Sequence, residues 1–375
     1  MALGNVNITR QLGGLARQPV SQDGISGLLF YGSSTSGQYT FSTILDAEAV
    51  GFDDSTVEWY HINEYFKFGN GNLLYAQFET STPSDFAEIV ELKNYSEGGV
   101  RQVGVINLTG TYSESDLAAI DLKADLCEDE YAPLQVIYSA DLGADTVEDL
   151  TTLTGVQAKR VSFNIAEDQA GKAKELKDNG ATHVGSIGTQ LGVIASAPVH
   201  ENIGYVQKYN ILSDQFTVPG FVDGSKLSDK SKAVLDLLDT FHYTFTRKFV
   251  GLSGVYFNYS YTADSSTSDF NTIENNRTYD KAFRLLRIVY LPRVNSPLYT
   301  DASGKLDIGT ISTFQELGEN ALQSMLNTRE ISNFSIDIDP EQDVLSTSKL
   351  DIIAKIQPVG VAKMIEVKLG FALTV

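Results

Sequence analysis

Val103-Gly104-Val105-Ile106-Asn107-Leu108 is a short apolar run, and after a helical pattern over 115–128 a second such run follows, Leu134-Gln135-Val136-Ile137-Tyr138. Apolar runs of this length read as strands, and strand and helix in alternation argue for a parallel or mixed sheet covered by helices. The same alternation extends outward. Strand-like runs at 73–78, 160–165 and 193–195 are interleaved with helical patterns at 83–95, 146–153 and 168–179, several opened by Ser, Thr or Asp and closed by Gly. The predicted class is α/β, with α+β mixing: a mixed sheet flanked by helices. Upstream, an apolar strand at 25–31 is followed by a small polar loop at 32–38. An aromatic-rich helix at 58–66 then runs to the turn signal Gly69-Asn70-Gly71.

Past Pro198 the pattern changes. A helix at 233–240, strands at 243–250 and 255–261, and a polar loop at 262–276 lead into a long helix at 279–290. That helix sets Ala282, Phe283, Leu286, Val289 and Tyr290 on one face, while Lys281, Arg284 and Arg287 share its other side. Residues 277–293 carry five bases and one acid, Asp280. Such a cluster is either a solvated face or a docking surface for an acidic partner, another copy of this acidic chain included. Thr313 and Glu316 stand at capping-box spacing and open a further helix, whose apolar stripe is Phe314, Leu317, Ala321, Leu322 and Met325. A strand at 331–338 and an acidic turn at 339–343 follow.

The end of the chain alternates strictly. Leu350, Ile352, Ala354 and Ile356 form one run, and after Pro358-Val359-Gly360 come Ile365, Val367, Leu369, Phe371, Leu373 and Val375. This is the period of strands with one buried face. The two runs are either a hairpin or one strand kept at home and one lent out. Val6 and Ile8 give a shorter alternating signal at the other end, before the glycine-rich 11–14.

With 375 residues and 42% hydrophobic content there is enough chain for two or three domains and a sizeable core. Forty-eight acids against 28 bases, a formal −20, argue against a general nucleic-acid or anionic-membrane surface. The single cysteine, Cys127, can form no internal disulfide and is expected to be a structural thiol. No apolar run approaches the roughly 20 residues of a spanning helix, and residues 1–20 lack the order of a signal peptide, so a soluble chain not exported by that route is expected.

Candidate chemistry is sparse. His61, His183, His200 and His242 are scattered without paired spacing, which argues against a zinc site. Gly185-Ser186-Ile187-Gly188-Thr189-Gln190-Leu191-Gly192 invites a phosphate-loop reading, but it has neither G-x-G-x-x-G spacing nor a Gly-Lys-Ser/Thr ending. Asp337, Asp339, Glu341 and Asp343 lack the sharp-turn glycine and bidentate glutamate of a calcium loop. Neither catalytic residues nor a cofactor site is predicted.

The C-terminal third resembles the contractile tail sheath proteins of phages and related injection systems. The resemblance is carried by Leu252-Ser253-Gly254-Val255-Tyr256-Phe257, Ser268-Asp269-Phe270, Ile273-Glu274-Asn275-Asn276-Arg277 and Asp280-Lys281-Ala282. It continues through Leu291-Pro292, Asn295-Ser296-Pro297-Leu298, Ile338-Asp339-Pro340 and Gln342-Asp343-Val344-Leu345-Ser346-Thr347-Ser348, then Pro358-Val359-Gly360-Val361-Ala362 and Ile365-Glu366-Val367. It covers about 251–371 closely and is weaker at Val6-Asn7-Ile8, Asp23-Gly24-Ile25-Ser26-Gly27-Leu28 and Tyr60-His61-Ile62-Asn63-Glu64-Tyr65-Phe66.

The resemblance implies a structural, non-enzymatic subunit that polymerises helically around an inner tube and contracts to drive it through a target envelope. It implies no cofactor, and as partners other copies of the chain, the inner tube protein, and baseplate and terminator proteins, with no nucleic acid and no membrane insertion. The implied location is a virion tail or contractile particle, assembled in the bacterial cytoplasm. Val6 and Ile8 at one end and Ile365, Val367, Leu369, Phe371 and Leu373 at the other would enter sheets of neighbouring subunits. Lys281, Arg284 and Arg287 are candidates to face the tube or a subunit, in competition with the helix carrying Glu316 and Glu319. The implied division is an N-terminal arm at 1–24, an α/β body at 25–250 with room for an outward-facing sheath domain at about 73–197, a C-terminal core domain at 251–360 and an arm strand at 361–375. Two alternatives stand beside it: a soluble α/β enzyme binding a ligand near Gly185 to Gly192, and the inner tube protein itself, which the long α/β body disfavours.

Overall fold

The computed structural model describes residues 22–212, 216–301 and 304–371. Val6, Ile8 and Leu373 therefore lie outside the described residues. The body is built from β1 (Ser26–Tyr31), β2 (Gly37–Phe41), α1 (Ile44–Ala49), α2 (Val57–Phe68), β3 (Leu74–Glu79), α3 (Glu88–Tyr95), β4 (Gln102–Thr111), α4 (Glu114–Asp129) and β5 (Gln135–Asp141). It continues through β6 (Val161–Phe163), β7 (Ala166–Asp168), α5 (Gly171–Asp178), α6 (Ile187–Ser196), β8 (Pro219–Phe221), α7 (Lys232–Thr240), β9 (Thr246–Phe249) and β10 (Leu252–Phe257). A C-terminal layer follows, with α8 (Ile273–Tyr290), α9 (Ile308–Asn327), β11 (Asn333–Asp337), α10 (Val344–Thr347) and β12 (Ile353–Gln357).

The strand, helix and strand reading of the opening stretch holds, for β4 and β5 pair in parallel from Gln102 opposite Gln135. They belong to a six-stranded mixed sheet of order β2-β3-β1-β4-β5-β6, parallel except for β2 at one edge. Both faces are covered, which is why its strands are continuous apolar runs rather than half-polar alternations. Leu29, Tyr31, Val103, Val105, Val136 and Tyr138 pack on one side with Ile89 and Leu92 of α3 and Leu117, Ile120 and Ala124 of α4. Their sequence neighbours Leu28, Phe30, Ile106 and Ile137 pack on the other side with Ile62 and Tyr65 of α2 and Ile187 and Leu191 of α6. A third, smaller core joins Ala282 of α8 and Leu322 and Met325 of α9 to Ile331 and Ile336.

Several elements differ from expectation, each for a physical reason. Residues 146–153 form a turn at 147–149 rather than a helix: the Thr146 and Asp149 pairing has the geometry of a helix start, but the backbone N–H of Val147 donates to the Asp223 carboxylate and that of Leu153 to the Phe241 carbonyl, so tertiary contacts take the donors. Residues 193–195 belong to α6 and not to a strand. The long C-terminal helix begins at Ile273, six residues before its predicted start at 279, since Glu274 and Asn276 are buried and disguise its first turn as a polar loop. Its successor begins at Ile308, capped by the Asp307 carboxylate, and Thr313 lies inside it with its hydroxyl on the Gly309 carbonyl.

Candidate functional site

No metal-binding cluster of His, Cys, Asp or Glu occurs among the described residues, and no helix there is long and apolar enough to cross a membrane. What stands out is unfinished secondary structure at the C-terminus. β11 and β12 pair antiparallel from Asn333 opposite Gln357 to Asp337 opposite Ile353. Phe334, Ile336 and Ile356 turn one face of this ribbon toward α8 and α9. Among the described residues no further strand joins either edge, so two rows of backbone donors and acceptors are left open.

Past Gln357 the chain becomes an arm. β12 pairs with β11 and not with the arm, which removes the hairpin alternative. Residues 361–371 form no strand within the subunit. Ile365 is 79% exposed, Val367 80%, Leu369 96% and Phe371 fully so. These apolar side chains, spaced for one strand face, are left uncovered within the subunit.

The basic cluster sits differently. Lys281 pairs with Asp23 at 2.8 Å and Glu330 at 2.7 Å, Arg284 pairs with Asp23 at 2.7 Å, and the Arg287 guanidinium lies 3.6 Å from the centre of the Tyr131 ring. All three are partly buried and have intramolecular partners. On α9, by contrast, Glu316 and Glu319 are exposed.

Sequence reasoning missed why Asp280 interrupts the basic run. Arg160 is 1% exposed, and its guanidinium makes two bonds to Asp280, at 3.0 and 3.1 Å, and two to Glu128, at 2.8 and 3.0 Å. Burial opposes the charge on Arg160, but Asp280 and Glu128 outweigh it and hold the guanidinium protonated. Nearby, Arg277 points into the body and donates to the backbone carbonyls of Ala197, at 3.1 Å, and Pro198, at 3.4 Å. Burial draws its pKa down to about 10. A base adjoining a strand and an isolated acid within a basic helix were the available signals, but nothing in the spacing joins positions 160 and 280.

The glycine-rich segment 185–192 is a packing device rather than a phosphate loop. Most of it is the first turns of α6, fully buried against α2. A Cβ at Gly188 would stand 2.2 Å from the His61 carbonyl oxygen, and one at Gly192 would stand 2.8 Å from that of Tyr65. The Gly188 N–H donates to His61 Nδ1 at 3.1 Å, and the other ring nitrogen donates to the Val184 carbonyl at 2.7 Å. Burial lowers the pKa of His61 to about 4 and that of His183 to about 3, so both are neutral core residues. Past the ends of β1 and β4, where an open α/β sheet commonly takes a ligand, the exposed Thr109 side chain lies against Gly32, its Oγ1 2.4 Å from where a Cβ would stand.

No curated protein sequence matches the chain. Solved structures do. A chain of the six-fold symmetrised cryo-EM structure of the anti-feeding prophage baseplate matches with a TM-score of 0.67 and 14% identity, covering 100% of both chains. The helical sheath of the same particle in its contracted state gives 0.66 and 13%, covering 99% of each. The contracted sheath complex of the extracellular contractile injection system PVC gives 0.63 and 12%, covering 100% of this chain and 98% of that one. The fold is thus that of contractile sheath proteins, in agreement with the resemblance read from the C-terminal third. The DUF2586 N-terminal domain matches residues 3–260 and the DUF2586 C-terminal domain residues 269–375, and the chain belongs to that family.

Proposed function

We propose that the chain is the structural subunit of a contractile tail sheath, polymerising helically around an inner tube and contracting to drive that tube through a target envelope. One observation carries the reading: a ribbon with two open edges and an exposed alternating arm coexist in a subunit whose whole length shares the sheath fold. In the assembly, Ile365, Val367, Leu369, Phe371 and Leu373 of one subunit, and Val6 and Ile8 of another, extend the ribbon of a neighbour by strand addition. Residues 1–24 and 361–375 are then the arms, 25–250 the body with 73–197 facing outward, and 251–360 the core of the sheath wall.

The work comes from a metastable lattice, so the subunit is not an enzyme and needs no cofactor. Because Lys281, Arg284 and Arg287 have partners inside the subunit, the tube-facing charge is assigned to Glu316 and Glu319 of α9. The further partners are the inner tube, baseplate and terminator proteins, in a virion tail or contractile particle assembled in the bacterial cytoplasm. Deleting Ile365 to Val375 tests the reading. The expected product is a folded monomer that forms no hollow tubes under negative-stain electron microscopy, whereas the full chain forms them. Full-length tubes from the truncated chain would overturn the arm mechanism.

A further inference from the structure

Between the end of β12 and the exposed apolar arm, a single side chain returns to the body. Lys363 Nζ lies 2.7 Å from Asp239 Oδ2, 4.9 Å from the centre of the Tyr259 ring and 4.6 Å from that of Tyr261. Its neighbours do not follow it, for Met364 is 78% and Ile365 79% exposed. We propose that Asp239, Tyr259 and Tyr261 form a binding cup for a primary ammonium, filled by the arm's own Lys363, which fixes where the arm leaves its subunit.

The cup is held together by contacts that do not involve the lysine. Asn258 Nδ2 donates to Asp239 Oδ1 at 3.0 Å, and the Tyr261 hydroxyl donates to Asp239 Oδ2 at 3.2 Å. His242 stacks on the Tyr261 ring, centroids 4.3 Å apart and planes 8° apart, and Tyr259 closes in at 4.8 Å. Asn258 is itself fixed by the Tyr243 carbonyl and the Phe245 N–H. Asp239 stands in the last turn of α7, where the helix dipole also favours a cation. An ion pair this exposed contributes little alone; the Tyr261 hydroxyl, which Lys363 Nζ also contacts, and the Tyr259 ring complete a position suited to a cation.

The latch does not depend on the sheath reading, although its consequence for assembly does. With Lys363 seated, the free strand begins at Met364. With it released, residues 358–363 join the tether and extend the arm's reach by about 20 Å.

Limited trypsin digestion of the full chain, followed by mass spectrometry, tests this because Lys363 and Lys368 are both cleavage sites in the same exposed segment. Seated in the cup, Lys363 is withheld from the protease, so cleavage after it is expected to be about tenfold slower than after Lys368. Asp239→Asn, which keeps the shape of the cup, and Tyr259→Leu, at a half-buried ring, should each raise cleavage after Lys363 several-fold and leave Lys368 unchanged. Equal rates at the two lysines in the unaltered chain would overturn the proposal, as would a difference that both variants leave untouched. Protection of Lys363 that grows with protein concentration would overturn it too, because the seated lysine would then come from a second copy.

Discussion

Gly188→Ala is expected to destabilise the chain, against the ordinary preference of helices for alanine. In an unconstrained helix interior the change stabilises by about 1 kcal/mol. Here the added Cβ would stand 2.2 Å from the oxygen, 2.7 Å from the Cα and 2.8 Å from the carbonyl carbon of His61, whereas ordinary contact begins at 3.4 Å. All three obstacles are backbone, so no side chain can swing aside, and α6 must draw back from α2 by about 1 Å. Overpacking of this kind costs about 1–3 kcal/mol. The retreat also stretches the Gly188 N–H bond to His61, at 3.1 Å, and the Thr189 hydroxyl bond to the buried Glu64 carboxylate, at 3.0 Å. A buried polar group left without its partner costs about 1–3 kcal/mol more. Set against the helix gain, the net loss is about 3 kcal/mol. Urea unfolding followed by circular dichroism measures it. Gly192→Ala, facing Tyr65 O at 2.8 Å and Phe68 Cβ at 3.0 Å, should lose less. A Gly188→Ala chain as stable as the parent, or one less affected than Gly192→Ala, would refute the reasoning.

Two further outcomes are expected. Arg160→Leu strands Asp280 in the interior and should cost about 3–5 kcal/mol by urea unfolding, while an effect under about 1 kcal/mol would mean the cluster is looser than its geometry. The second concerns pH. Burial holds His183 at about 3, below its ordinary 6.5, so as pH falls from 6.5 the unfolded chain takes up a proton that the folded chain refuses, and stability declines. Half-buried Asp121 and buried Asp168, pushed up to about 6 by desolvation, act in the opposite sense, their contribution being lost as pH rises toward 6, so the parent chain alone shows a muted profile. The difference between the parent and His183→Gln cancels those carboxylates. Relative to the variant, the parent should lose about 2.3 kcal/mol between pH 6.5 and 4.5, and parallel stability curves would refute it.

The sheet was legible because both of its faces are buried. A run such as Val103 to Leu108 has to be apolar throughout, whereas in water-facing sheets that signal is diluted. Helix α6 was illegible for a related reason. Its glycines serve the approach of α2, and a residue selected for having no side chain looks locally like a loop. The start of α8 hid behind Glu274, whose carboxylate is used by Ser260 and Asn202, because periodicity registers apolar burial and not polar burial. The terminal alternation marked an apolar strand face, and the structure leaves Ile365, Val367, Leu369 and Phe371 exposed within the subunit. Neither the Arg160 cluster nor the Lys363 cup had a local signature. Each joins residues more than a hundred positions apart, 160 with 280 and 239 with 363, which only the fold brings together.

The contrast between those two distant contacts bears on where motion resides. The C-terminal layer is joined to the body by a buried two-bond ion pair at Arg160 and Asp280 and by Arg277 on the carbonyls of residues 197 and 198. Separating the two would strand buried charge, at about 3–5 kcal/mol for the Arg160 pair alone. Freeing the arm breaks one half-exposed ion pair and the contacts of Lys363 with the Tyr261 hydroxyl and the Tyr259 ring, and exposed ion pairs of this kind are worth about 1 kcal/mol or less. Of the two joints, the short segment after β12 is therefore the weaker and the junction between the layers the stronger. A sheath subunit that reorients during contraction would then turn as one rigid piece, with residues 358–363 absorbing the change. Arg160→Leu should accordingly weaken the folded subunit itself, whereas Asp239→Asn should leave stability nearly unchanged and alter only how far the arm can reach.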